Sequence, residues 1–223
     1  MTAWRDATLP FDAPAVFESL PPSDDRPFAA LENRPHSVAE LARAARFAIT
    51  LQRIAATLAS SLEREQVLSA ILRNSLEAIG ASAAAVTELS ADGDTLAVVA
   101  WIGYPDTLVS RFSQVRVSAF PAVTRLVHDR IPLYVTSQPA LEAIAPAIAQ
   151  FSAPAGARVA LPLATAERFV GVLVITFPDA RDFAPDEREF LDALAHQSAL
   201  ALERAQLFAR ERAARHAAEA AIE

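Results

Sequence analysis

Apolar residues change their spacing several times along this chain, and each change marks an element. From Ser37 onward Leu41, Ala45, Ala48, Leu51 or Gln52, Ala55 and Leu58 recur at steps of three and four, one face of a helix. Ser37 and Glu40 form a capping box ahead of it, each side chain satisfying a backbone N–H of the first turn. A second helix is predicted over 62–79, with Val67, Ile71, Leu72, Leu76 and Ile79 inward and Gly80 as its stop. Two strands are predicted next, over 82–89 and 95–102. The Ser-Ala-Asp-Gly-Asp link between them makes a hairpin, since Asp92-Gly93 tolerates positive φ. The middle, 103–151, is less regular, with short helices expected at 106–112, 119–129 and 141–150 and a small strand at 133–136. Two almost continuously apolar strands follow at 158–164 and 169–177, the pattern of central strands covered on both faces. After Pro185 the helical pattern resumes at Asp186 and runs to the end.

That last helix would be about 55 Å long at ~1.5 Å per residue, more than packing on one small sheet requires. Leu191, Leu194, Ser198, Ala201, Ala205 and Phe208 trace a heptad seam, flanked by alternating arginines and glutamates from Glu203 to Glu219. Such a seam fits a parallel homodimer of modest strength through the leading and exit helices, or a single long helix with a frayed Ala-rich tail. At the other end, residues 1–36 carry Pro10, Pro14, Pro21, Pro22, Pro27 and Pro35 among scattered acids. This predicts an extended, disordered leader, with Phe11, Val16 and Phe17 as short apolar pieces that could dock elsewhere.

Composition narrows the chemistry. The 223 residues include no cysteine, and every basic residue is an arginine. Thiolate nucleophiles, disulfides and thioether attachment of a tetrapyrrole are excluded by the first fact. Imine chemistry with pyridoxal phosphate or retinal, and the phosphate-loop lysine, are excluded by the second. The five glycines are scattered, so no dinucleotide fingerprint exists. A net charge of −7 with no basic stripe argues against nucleic acid. No apolar run approaches the ~20 residues of a membrane helix, so the expected location is the cytoplasm. His128-Asp129 has no partner histidine at metal-ligand spacing. His196 lacks the acidic neighbour and following proline of a phosphoacceptor, and Asp179, Asp182, Asp186 and Glu187 read as loop and helix-start charges. No constellation of nucleophile, base and orienter appears, so a non-enzyme is expected.

Two segments carry a family resemblance. Residues 51–86, LQRIAATLASSLEREQVLSAILRNSLEAIGASAAAV, resemble the opening helices and first strand of a bacterial GAF domain. Residues 157–208 resemble its C-terminal half: the strand at 159–163 with Pro162, the Gly171-Val-Leu-Val strand, Phe183 ahead of Asp186-Glu187, and an Ala/Gln-rich helix. The match spans roughly 37–208, leaving 209–223 as an extension of the signalling helix. It implies an α/β (α+β) fold: a central antiparallel sheet, leading and exit helices on one face, and an irregular helical roof enclosing a small-molecule pocket on the other.

Family pockets hold cyclic nucleotides, tetrapyrroles, haem or small metabolites, and many members bind nothing identified, so the cofactor stays open. Candidates to line the pocket here are Trp101, Tyr104, Phe112, Phe120, His128, Tyr134 and Phe151, aromatic residues that would otherwise fill a core. The free-methionine sulfoxide reductases of this fold depend on cysteines, which this chain lacks. The cyclic-nucleotide signature is also incomplete, because Phe183 and Asp186-Glu187 match only its tail. The resemblance implies a non-catalytic sensing and dimerisation module in signal transduction. Its exit helix would lead to a histidine kinase, phosphatase or cyclase output, consistent with a sequence that stops mid-pattern at Ala-Ile-Glu. The alternatives are a ligand-free dimerisation scaffold with a collapsed pocket, and a haem-type redox or gas sensor using His128.

Overall fold

Alternation along the strands decides which residues face which layer, so the sheet is the natural starting point. The computed structural model describes residues 38–61, 63–149 and 156–220. The leader over 1–36, the capping serine at position 37 and Phe151 lie outside these. Two helices lead in, α1 (Val38–Ser60) and α2 (Arg64–Ile79). Gly80 closes α2 in the left-handed region (φ 68°, ψ 35°), which glycine adopts without a Cβ clash, and its N–H donates to the Leu76 carbonyl at 3.1 Å. The hairpin β1 (Ala83–Leu89) and β2 (Thr95–Ile102) follows.

The irregular middle contains α3 (Asp106–Arg111), β3 (Gln114–Arg116), a 3-10 turn (Val117–Ala119), α4 (Pro121–His128), β4 (Leu133–Val135), α5 (Gln138–Ile144) and α6 (Pro146–Ala149). The chain then forms β5 (Arg158–Ala164), β6 (Phe169–Thr176) and the 36-residue α7 (Pro185–Ala220). All strands join one antiparallel sheet in the order β3-β2-β1-β6-β5-β4, which places β1 and β6 at its centre.

One face of the sheet carries the main core. Val86, Leu161, Leu173 and Ile175 pack there against Ile71 of α2, Leu58 of α1 and Leu191 and Leu194 of α7. α1 and α7 run parallel, as three contacts at nearly constant sequence offset show. Arg43 Nε and Nη2 donate to Asp186 at 2.5 and 3.0 Å, Phe47 stacks on Phe190 with centroids 4.7 Å apart, and Arg204 Nη2 donates to the Leu58 carbonyl at 2.5 Å. The last contact satisfies one of the orphan carbonyls at the end of α1. At the start of α7 the acids do more than solubilise a loop. Glu187 is only 6% exposed and accepts from Arg181 Nη2 at 2.5 Å. Hydrogen bonding from Arg43 holds the Asp186 carboxyl below the usual carboxylate range.

Three sequence expectations are corrected. The inward face of α1 is Phe47, Leu51, Ile54 and Leu58, while Leu41 is 57% exposed and Ala45 and Ala48 face solvent. Phe47 sets the helix rotation, because an aromatic ring buries far more surface than the alanines that suggested the other stripe. On α7, Leu191, Leu194, Ser198, Ala201 and Ala205 are buried inside this chain, so the expected heptad seam is the helix's packing face on its own domain. In the middle, the helix expected over 141–150 breaks at Ala145 (φ −148°, ψ 65°), because Pro146 disfavours helical backbone in the residue before it.

Candidate functional site

The strand residues that point away from the helices are short. Val174, on β6, pairs with Ala85 on one side and Ala160 on the other, and Thr87 pairs with Val172 one row along. The roof segments do not close over that Ala-Val-Ala row, although Leu126 and Val127 of α4 pack against Leu96 and Val172 beside it. Two adjoining hollows result. One, of about 160 Å³, lies under Phe120, Leu126, Leu133 and Leu141. The other, of about 180 Å³, lies under Tyr104, Leu108 and Phe112. Thr87, Val115, Ile148, Arg158 and Val174 border both, which makes them two lobes of one distal cavity.

The lining is almost wholly apolar, and its few polar groups are distinct. Thr87 Oγ1 donates to the Val172 carbonyl at 3.3 Å, so its hydroxyl is committed to the sheet. The Tyr104 hydroxyl shares a 2.7 Å hydrogen bond with Thr176 Oγ1, and burial pushes the phenol up from its ordinary value. Arg158 opens β5 and points to the roof side, the alternate of Val159, which is buried in the helical core. Its Nη1 donates to Gln138 Oε1 at 3.4 Å, and burial lowers the pKa of the guanidinium, with the Tyr104 phenol opposing.

Of the seven residues singled out in the sequence, the structure brings Tyr104, Phe112 and Phe120 to this cavity. The other described three lie elsewhere. Trp101 is 42% exposed at the end of β2, beyond the stretch Thr95, Leu96 and Ala97 that pairs with β3. Tyr134 turns to the helical side between Leu133 and Val135. There it meets Phe183 at 5.1 Å, lies under the Arg188 guanidinium at 4.5 Å and donates to Asp192 Oδ1 at 3.4 Å. His128 is exposed at the end of α4, where Leu126 and Val127 take the buried positions, so it offers no axial ligand to a group in the cavity. No group of three metal-capable side chains exists among the described residues.

Sequence reasoning passed over Arg158, the cavity's charged residue. Its signal was visible as an arginine opening an otherwise apolar strand. A larger hollow of about 550 Å³ runs between α2 and β2, with Trp101, Glu65 and Arg73 on its walls. It is the more open of these hollows, and the almost wholly apolar cavity under the roof is the better small-molecule site despite its smaller volume.

A family model described as GAF domain matches residues 61–203. No curated protein matches the chain at a significant level. Among solved structures, the GAF domain of a phosphoenolpyruvate-protein phosphotransferase from Coxiella burnetii is 18% identical with a TM-score of 0.63, covering 74% of this chain and 96% of that one. The free methionine-R-sulfoxide reductase of Neisseria meningitidis, in complex with its substrate, is 15% identical with a TM-score of 0.60, covering 74% and 93%. The second GAF domain of DevS from Mycobacterium smegmatis is 22% identical with a TM-score of 0.50, covering 67% and 98%. At these identities the likeness is one of fold.

Proposed function

The chain belongs to the GAF domain family, and from that membership we propose that it is a non-catalytic sensory module whose distal cavity holds a small molecule. GAF domains serve broadly as sensor domains of signalling proteins, which supports the sensory half of this reading. The observation that carries the rest is the apolar, half-open two-lobed cavity on the sheet face opposite the helices. Strand β5 presents Arg158 and Ala160 to that cavity and Val159, Leu161 and Leu163 to the core shared with α7. A guest that shifts the strand therefore bears on the exit helix, because close-packed layers transmit displacement rather than absorb it.

In this reading residues 37–208 make the sensory domain, and 209–223 extend its signalling helix toward a histidine kinase, phosphatase or cyclase output in the cytoplasm. Positions 209–216 of α7 are exposed, as a helix reaching beyond its domain would be. No described helix is long and apolar enough to cross a membrane. Self-association of two copies would use the outer faces of α1 and α7, where Leu41, Ile49, Leu200 and Leu207 are exposed, since the inner seam is occupied. Catalysis is not part of the reading. The reductase likeness does not extend to cysteine chemistry, since the sequence has no cysteine.

Native mass spectrometry of gently purified protein, with an absorption spectrum, tests the proposal. A dimer carrying extra non-covalent mass is the expected result. A clean apo dimer that no small molecule stabilises would favour a scaffold, and a clean monomer would remove the self-association.

A further inference from the structure

A buried guanidinium with no carboxylate beside it is costly, because desolvation is repaid only by a paired charge. Arg158, half-buried at the start of β5, carries part of that cost. Among the described residues no Asp or Glu lies within ion-pair distance of it, and the hydrogen bond to Gln138 at 3.4 Å is long for so strong a donor. Gln138 itself is engaged, donating through Nε2 to the Ala149 carbonyl at 3.2 Å. Tyr104, whose charge would act on Arg158, shares its hydroxyl hydrogen bond with Thr176. Arg158 borders both lobes, and because the first lobe presents almost no polar surface, a guest would reach the guanidinium from the second.

The rest of the lining selects the guest's body. Apart from Thr87, whose hydroxyl is committed, the walls of the first lobe are aliphatic or aromatic, and the second adds only the engaged Tyr104 hydroxyl. A nucleotide would bring a base, a ribose and several phosphate oxygens to walls with one charged donor, leaving most of its polar groups unpaired. A zwitterion or cation would need an acid that the described walls lack. A carboxylate suits one arginine, which can bind both its oxygens through parallel N–H donors. Each lobe has room for a ring or short alkyl chain, since a dry apolar cavity of roughly 150 Å³ admits a benzene-sized guest.

We propose that the distal cavity binds a small organic monocarboxylate, its carboxylate paired with Arg158 and its apolar body filling a lobe. This rests on the reading of the cavity as a sensory site and names the class of molecule it reads. On the described walls a nucleotide or an amino acid would leave polar groups unpaired.

The test uses the full chain and two isosteric series: 3-phenylpropanoate with its amide and its amine counterpart, and octanoate with octanamide and octylamine. Binding is read by calorimetry and melting temperature. At least one carboxylate is expected to bind ten times or more tightly than its neutral and cationic counterparts. Arg158→Gln is expected to abolish that preference while still admitting the amide. Arg158→Met, without ligand, should melt no lower than the parent, since it removes an unpaired charge. Equal binding of acid and amide, or a carboxylate preference that survives Arg158→Gln, would overturn the assignment and leave a sensory cavity of another specificity. If Arg158→Met unfolds the domain, the arginine is structural and the proposal fails. Xenon binding read by NMR separates the remaining cases. Xenon entry without carboxylate binding sinks the anion proposal alone, and exclusion of both sinks the sensory reading with it.

Discussion

The two faces of the same sheet are built from adjacent residues and to opposite ends. On the helical face Leu173 sits between Val86 and Leu161, three bulky side chains in a row, sealed by α2 and α7. One residue later Val174 sits between Ala85 and Ala160, and the roof does not close over that row. The covering layers differ as well. Long helices α1 and α7 interlock with each other through Phe47 on Phe190 and a paired Arg43–Asp186, whereas the roof helices are short, of four to eight residues. Stability is concentrated on one side and open space on the other. Both come from a period-2 alternation that places large side chains on one face and small ones on its reverse.

The sharpest way to break this contrast is a pair of truncations in β6. Leu173→Ala should cost about 2–5 kcal/mol, the range for a buried leucine in a close-packed core. Val174→Ala should cost about 1 kcal/mol, because its neighbours already border a void. Denaturant melts of both variants check this, and equal costs per carbon removed would mean that the roof is as tightly packed as the helical side. The polar clamp on the helical side comes next. Glu187→Gln leaves Arg181, which is partly exposed, without its counter-charge, and a loss of about 2 kcal/mol is expected in the same assay.

A third comparison adds volume instead of removing it. Ala199→Val, at a fully buried position on α7, should destabilise by about 1–3 kcal/mol through overpacking. Ala160→Val, facing the cavity, should be neutral within about 1 kcal/mol and should weaken any guest in the first lobe. The smallest effect lies in alkaline stability. Burial, aided by Asp192, pushes the Tyr134 phenol from its ordinary 10 up to about 12. The folded state therefore holds a proton that the unfolded chain loses first. The stabilisation is complete below pH 10 and declines as pH rises from there toward 12. Tyr134→Phe should flatten that decline. Tyr104, also raised by burial, should leave a residual slope from the cavity side.

Much of the architecture is legible in the linear pattern. Strands β2 and β5 occupy the residues expected of them, Gly80 stops α2, and Pro185 opens α7, because turn chemistry and apolar spacing act within a few residues. The short β3 and the break at Ala145 were not anticipated, being too brief for any period to register. The candidate site was legible only in part. Tyr104, Phe112 and Phe120 reach the cavity, but aromatic character alone does not say which face of a strand or which side of a roof a ring occupies. Tyr134, Trp101 and His128 went elsewhere for that reason.

From the sequence alone follow the order of helices and strands, the family, and the exclusion of cysteine- and lysine-based chemistry, because each depends on residue identity or short-range spacing. Tertiary structure decided which stripe of α1 is buried and that the heptad-like stripe of α7 packs on its own domain. It also decided that the first residue of β5, Arg158, stands at the junction of two apolar lobes. The helix stripes turn on contacts between residues more than a hundred positions apart, as Arg43 with Asp186 or Phe47 with Phe190, and the place of Arg158 on neighbours from separate elements; local periodicity carries no record of such partners.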